Sequence, residues 1–158
     1  MVNKCVRLFR MALIALGISA LSLFAIPLAK EQKAVQFTLA GVFWLSFLAE
    51  LILLSIGNGV RKKIEQISPH LKQKRGFGKI GLFCFLQNRE ASVVDILLLV
   101  SIIYLAIVSF LRVDSMWLVL IGIVATFMSF HLHCILNGIL YKSIKHYQIV
   151  IHKRRERK

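Results

Sequence analysis

Acidic residues are scarce in this chain of 158 residues: seven Asp and Glu stand against 21 Lys and Arg, for a formal net charge of +14. Cysteine is scarcer still. Cys5, Cys84 and Cys134 include no CxxC pair, which argues against both a disulfide framework and a zinc site. Prolines occur only at positions 27 and 69. Also missing are a Ser/His/Asp set for nucleophilic catalysis, a helix with paired metal ligands and a credible phosphate loop. Gly76, Gly78 and Gly81 match a G-x-G-x-x-G string, but no βαβ pattern surrounds them and no dinucleotide domain fits, so they read as flexible glycines in an interfacial loop. No cofactor and no metal are expected.

What the chain has in excess is apolar length. Hydrophobic residues make up 58% of it, and its mean hydropathy is +0.73, beyond what a soluble domain of this size usually carries. Four apolar runs, at about 11–29, 34–56, 91–111 and 116–140, each approach the ~20 residues that span a hydrocarbon core of roughly 30 Å. The segment 57–90 has no apolar core of its own. The expected architecture is therefore all-α: an integral membrane four-helix bundle with cytoplasmic helical extensions, one domain over 1–158. The first run also has the basic start and small residue (Ala29) of a secretory signal, but Pro27 lies where a small side chain is wanted and the run is long for a signal core.

Charge distribution orients the chain. All of the 21 basic residues except Lys30, Lys33 and Arg112 fall in the first ten positions, in the loop 57–90 or in the tail 141–158. Cytoplasmic loops retain Lys and Arg, so both ends and the middle loop are expected inside, with two short turns outside. The expected location is the plasma membrane of a bacterium.

Polar residues inside the runs supply the candidate site. Ala12, Ala15, Ser19 and Ser22 form a small-residue seam on the first run, and Gly122, Thr126, Ser129, His133 and Asn137 share one face of the fourth. Counting from the middle of each run at 1.5 Å per residue, Glu50, Asp95 and His133 lie in one layer roughly 7–9 Å to the cytoplasmic side of the midplane. Carboxylates that deep should be paired, protonated or wetted. Two readings follow, beside a third in which these residues sit in separate environments. In one, Glu50 and Asp95 compete for a proton while His133, held by Asn137, donates to one of them, making a proton or cation site. In the other, the same four residues are a hydrogen-bonded clasp that fixes helix register. His131 and His133 point about 200° apart on a helix and cannot hold one ion from one face; His131 and Cys134 could, but no third ligand is evident and both are read as packing residues.

Beyond the second run, Val60, Ile64, Ile67 and Leu71 repeat at spacings of 4, 3 and 4, as do Leu140, Ile144, Tyr147 and Ile151 beyond the fourth, with Pro69 ending the first stripe near Ile67 or Ser68. Pairing as a short coil is one outcome. The favoured expectation lays each helix on the lipid surface, with Arg61, Lys62, Lys63, Lys142 and Lys145 toward anionic headgroups. The segment from Gly76 to Gln87 is expected to graze the membrane. Arg154, Arg155, Arg157 and Lys158 form a tail without an aromatic stacking platform, so no nucleic-acid partner is expected.

These features point to an accessory or regulatory membrane protein that acts through lipid and through protein contacts, with itself or with another membrane chain. The alternatives are a subunit of an oligomeric ion- or proton-coupled transporter or channel and, behind it, a membrane-embedded lipid-modifying enzyme, for which Glu50, Asp95 and His133 are the only credible acid and base groups.

Overall fold

Runs of Leu, Ile, Ala and Val broken by few helix-stopping residues fold as long helices in the computed structural model, which describes residues 1–29, 31–72, 85–112 and 114–156. Helix α1 spans Val2–Ala25 and passes into a 3-10 turn over Ile26–Ala29, α2 spans Lys33–Ile67, α3 Ser92–Phe110, α4 Met116–Leu136 and α5 Ile139–Glu156. Among the described residues there is no strand. Four of the helical segments, Val2–Ala29, α2, α3 and α4, are long and apolar enough to cross a membrane. The Gly76, Gly78 and Gly81 string, most of the segment from Gly76 to Gln87, Cys84, Lys30, Arg157 and Lys158 lie outside the described residues.

The helices pack as two hairpins. α1 lies along α2, α3 lies along α4, and α1 touches α4 to join them. Small residues let α1 approach its neighbours: Ala12, Ala15, Ser19 and Ser22 are all buried, and the Ser19 hydroxyl meets that of Ser46 on α2 at 2.9 Å. The hydroxyls of Ser19, Ser22 and Ser46 also reach carbonyls three or four residues back, so these three hydroxyls are not stranded on apolar helices. Gly122 serves the second hairpin. An added Cβ there would overlap Leu105 and come within 3.0 Å of Tyr104 on α3, so only glycine allows this approach.

The run expected as one span over 116–140 is divided. α4 ends at Leu136, and a break at Asn137 and Gly138 precedes α5. The physical reason is local: a Cβ at Gly138 would sit 3.0 Å from the carbonyl oxygens of both Cys134 and Ile135, a tight turn closed by the Gly138 N–H donating to Ile135 O at 3.0 Å. The other extension needs no break. α2 runs 35 residues, about 50 Å, and stops at Ile67 two residues before Pro69.

The two amphipathic extensions meet each other, in contrast to the expectation that each lies on a lipid surface. Ile64, Leu71, Leu140, Ile144 and Tyr147 are buried in one cluster with Cys5 and Phe9 of α1. Most of the two stripes is thereby covered within the chain, Ile67 staying exposed, and each fully buried Leu or Ile contributes about 1.5–3 kcal/mol where water is the alternative. Gly57 brings the helices together, since a Cβ there would lie 2.9 Å from Leu140 Cδ2.

Candidate functional site

α4 carries two imidazoles, and each reaches a carboxylate on a different helix. His133 Nδ1 lies 2.6 Å from Asp95 Oδ1 on α3, both side chains being buried. His131 Nδ1 lies 3.1 Å from Glu50 Oε1 on α2. At about 100° per residue, positions 131 and 133 emerge on nearly opposite sides of the helix. The expected layer of Glu50, Asp95, His133 and Asn137 is thus divided by the fold: Asp95, His133 and Asn137 come together, while Glu50 belongs to His131. His131, read from sequence as a packing residue, is the one that sequence reasoning missed. Its i,i+2 relation to His133 is the signal that α4 serves two partners.

The Asp95 pair is sealed. Its Oδ2 accepts from the Leu86 N–H at 2.8 Å, and the Phe85 ring stacks on His133 with centroids 4.5 Å apart. Leu86 holds φ 58°, a left-handed conformation uncommon for a branched side chain, and this turns its N–H to the carboxylate. Asn137 places its amide nitrogen 3.2 Å from His133 Nδ1. That ring nitrogen cannot donate to a carboxylate and accept from an amide at once, and the shorter contact to Asp95 decides which bond it makes. Asn88 Nδ2 donates to Leu136 O at 3.2 Å, tying the loop before α3 to the end of α4. Asp95 lies in the first turn of α3 and His133 in the last turn of α4, where the helix partial charges complement an acid and an imidazole.

The Glu50 pair is incomplete by comparison. Oε1 meets His131, but buried Oε2 has no hydrogen-bond partner among the described residues. Here the helices stand apart, with no α2–α4 pair of Cα atoms within 8 Å. Rings bridge the gap: Phe127 lies 5.8 Å from Phe43 and 6.2 Å from Phe47, and His131 packs edge-on to Phe47 at 5.5 Å. Below the rings the gap is not filled. A cavity of about 390 Å³ has Phe9 of α1, Glu50, Leu54 and Asn58 of α2, His131 and Cys134 of α4 and Leu140 of α5 in its walls.

The basic residues expected at anionic lipid divide as well. Lys62 and Lys63 are exposed, and Lys142 is half-buried. Arg61 is held by both oxygens of Glu65 at 2.9 and 3.0 Å, and Lys145 pairs with Glu90. The Tyr147 hydroxyl donates to the same Glu65 at 2.9 Å; burial first, then this carboxylate, push the phenol well above its ordinary range. A groove of about 520 Å³ between the start of α1 and the end of α5 gathers Arg7, Arg10 and Arg155, which sequence reasoning did not bring together. Among the described residues no three His, Cys, Asp or Glu side chains are placed to hold a metal ion.

Comparisons with known proteins add no identity: no family model matches the chain, and no curated protein or solved structure matches it.

Proposed function

We propose that this chain is a small multi-pass membrane protein of accessory or regulatory type, an integral helix bundle that works through contacts with lipid and with a second membrane chain. In this reading α1 to α4 cross a bacterial plasma membrane and the cluster around Tyr147 lies on the cytoplasmic side with both ends of the chain. Long rows of exposed apolar side chains support the placement in lipid: Trp44, Leu48 and Ile52 on α2, and Val100, Ile103 and Ile107 on α3, stand free of the rest of the fold. Lys62, Lys63 and the arginine groove then face anionic headgroups, each basic residue contributing about 1 kcal/mol near the surface.

One observation carries the regulatory reading: a single helix, α4, holds both hairpins by carboxylate–imidazole pairs, one buried and saturated, the other part-buried and not. The saturated pair suits a permanent clasp. The unsaturated pair, between helices that do not otherwise approach closely, suits a contact that can yield when a partner binds. Tagged protein extracted in mild detergent should carry a stoichiometric second copy or second membrane chain, and deleting residues 142–158 should weaken that association more than Asp95→Asn does. A monodisperse single chain with its own catalytic turnover would end this reading.

A transporter or channel subunit is the second reading, favoured by the unpartnered Oε2 of Glu50. It requires proton or ion flux in reconstituted vesicles that falls in Glu50→Gln; flux unchanged by Glu50→Gln and Asp95→Asn together would remove it.

A further inference from the structure

We infer that the cavity beside Glu50 and His131 is a binding site for an uncharged, lipid-soluble molecule that carries a hydroxyl donor, an alcohol or phenol on an apolar body.

Three observations converge on that chemistry. The first is an orphan acceptor. Glu50 is fully buried, its Oε1 is taken by His131, and its Oε2 has no partner among the described residues. Buried polar atoms are almost always paired, and leaving one unpaired costs about 1–3 kcal/mol. The second is the space. At about 390 Å³ the cavity is in the range of small-molecule sites, and Phe9, Leu54, Phe130 and Leu140 give it apolar walls. The third is charge. The cavity lies between helices read above as membrane-spanning, where a charged head costs about 2.5–3.5 kcal/mol to bring into hydrocarbon and a hydroxyl brings no charge.

The gap has a structural origin. α2 and α4 are held apart by rings on one side, while α4 ends at Leu136 and the turn at Asn137 and Gly138 precedes α5 on the other. The inference rests on the chain lying in lipid, as proposed above, but not on its having a regulatory partner.

Two photoreactive probes test it in the full-length protein in lipid nanodiscs: a diazirine-bearing hexadecanol and its methyl ether, which lacks only the donor. The alcohol should label peptides containing residues 51–58 and 130–135 about fivefold more than the ether, the factor expected for one hydrogen bond. Glu50→Leu should bring alcohol labelling down to the ether's level. In a protein with Cys5 and Cys84 replaced by alanine, hexadecanol should slow alkylation of Cys134 and the ether should not. Equal labelling by the two probes overturns the inference, as does labelling confined to the outer faces of α2 and α3. Those outer faces report lipid insertion with either probe, so a failed site and a failed membrane placement give different patterns. The comparison of probes on the unaltered chain decides the matter even if Glu50→Leu does not fold.

Discussion

His131 and His133 stand two residues apart on α4 and end on carboxylates of different helices, Glu50 of α2 and Asp95 of α3. The arrangement makes one helix the common member of two interhelical bonds. It also gives those bonds unequal surroundings: Asp95 uses both oxygens, whereas Glu50 uses one. The difference has measurable consequences for stability.

Double-mutant cycles should rank the two pairs. Interhelical hydrogen bonds in membranes average about 0.6 kcal/mol and reach about 1.7, so the short, enclosed Asp95–His133 pair is expected near the top of that range and Glu50–His131 near the average. Asp95→Asn with His133→Ala, and Glu50→Gln with His131→Ala, measured by reversible unfolding in bicelles, give the two coupling energies. A larger coupling for the Glu50 pair would reverse the roles assigned to clasp and yielding contact.

Glycine substitutions should separate packing from propensity. Gly122 has Leu105 and Tyr104 against the position of its missing Cβ, so Gly122→Ile is expected to cost about 1–3 kcal/mol by overpacking the α3–α4 seam. Gly41 has nothing within 4 Å of that position, and Gly41→Ala should be neutral or stabilise α2 by up to about 1 kcal/mol. Equal losses at both positions, read by the same unfolding assay, would show that the seam does not depend on Gly122.

Helices were readable in this sequence because apolar length and the rarity of proline leave few alternatives, and Pro69 marks the end of α2 in the letters themselves. The Asp95, His133 and Asn137 set was also readable, since His133 and Asn137 are one turn apart and a buried acid needs a partner. The match of Glu50 with His131 was not. Depth along an axis can be counted from a sequence, but rotation about that axis depends on packing, and two histidines two residues apart share a depth while facing opposite ways. Arg61 and Glu65 are visible as an i,i+4 pair, yet nothing local says that Tyr147 completes it, because that contact joins residues 82 positions apart.

Tyr147 gives the fold an alkaline limit. Its phenol is raised above the ordinary value of 10.0 by burial and then by Glu65, so the folded state keeps a proton that the unfolded state releases. For a raised group the stabilisation is complete below the unfolded pKa and declines above it, here from about pH 10 upward at up to 1.36 kcal/mol per pH unit. Tyr147→Phe cannot release that proton and should lose less stability than the unaltered chain between pH 10 and pH 11. It should also be weaker by about 1.5–3 kcal/mol at neutral pH, through loss of a hydrogen bond to a carboxylate. Parallel slopes for the two proteins above pH 10 would show that Tyr147 does not set the limit.

Orientation is the remaining prediction, and it follows from where these basic residues lie. Arg7, Arg10 and Arg155 border one groove, and Lys62 and Lys63 are exposed at the same end of α2 that packs on α5. The α1–α2 turn at Glu31 and Gln32 occupies the other end of the first hairpin. Retention of Lys and Arg on the cytoplasmic side then puts Arg155 inside and Gln32 outside. In a cysteine-free background, Gln32→Cys should react in intact spheroplasts with a membrane-impermeant maleimide, and Arg155→Cys should react only after lysis. The opposite pattern would turn the bundle over and place the lysines, the arginine groove and the cluster around Tyr147 at the external surface, where the cytoplasmic leaflet's attraction for basic residues does not operate.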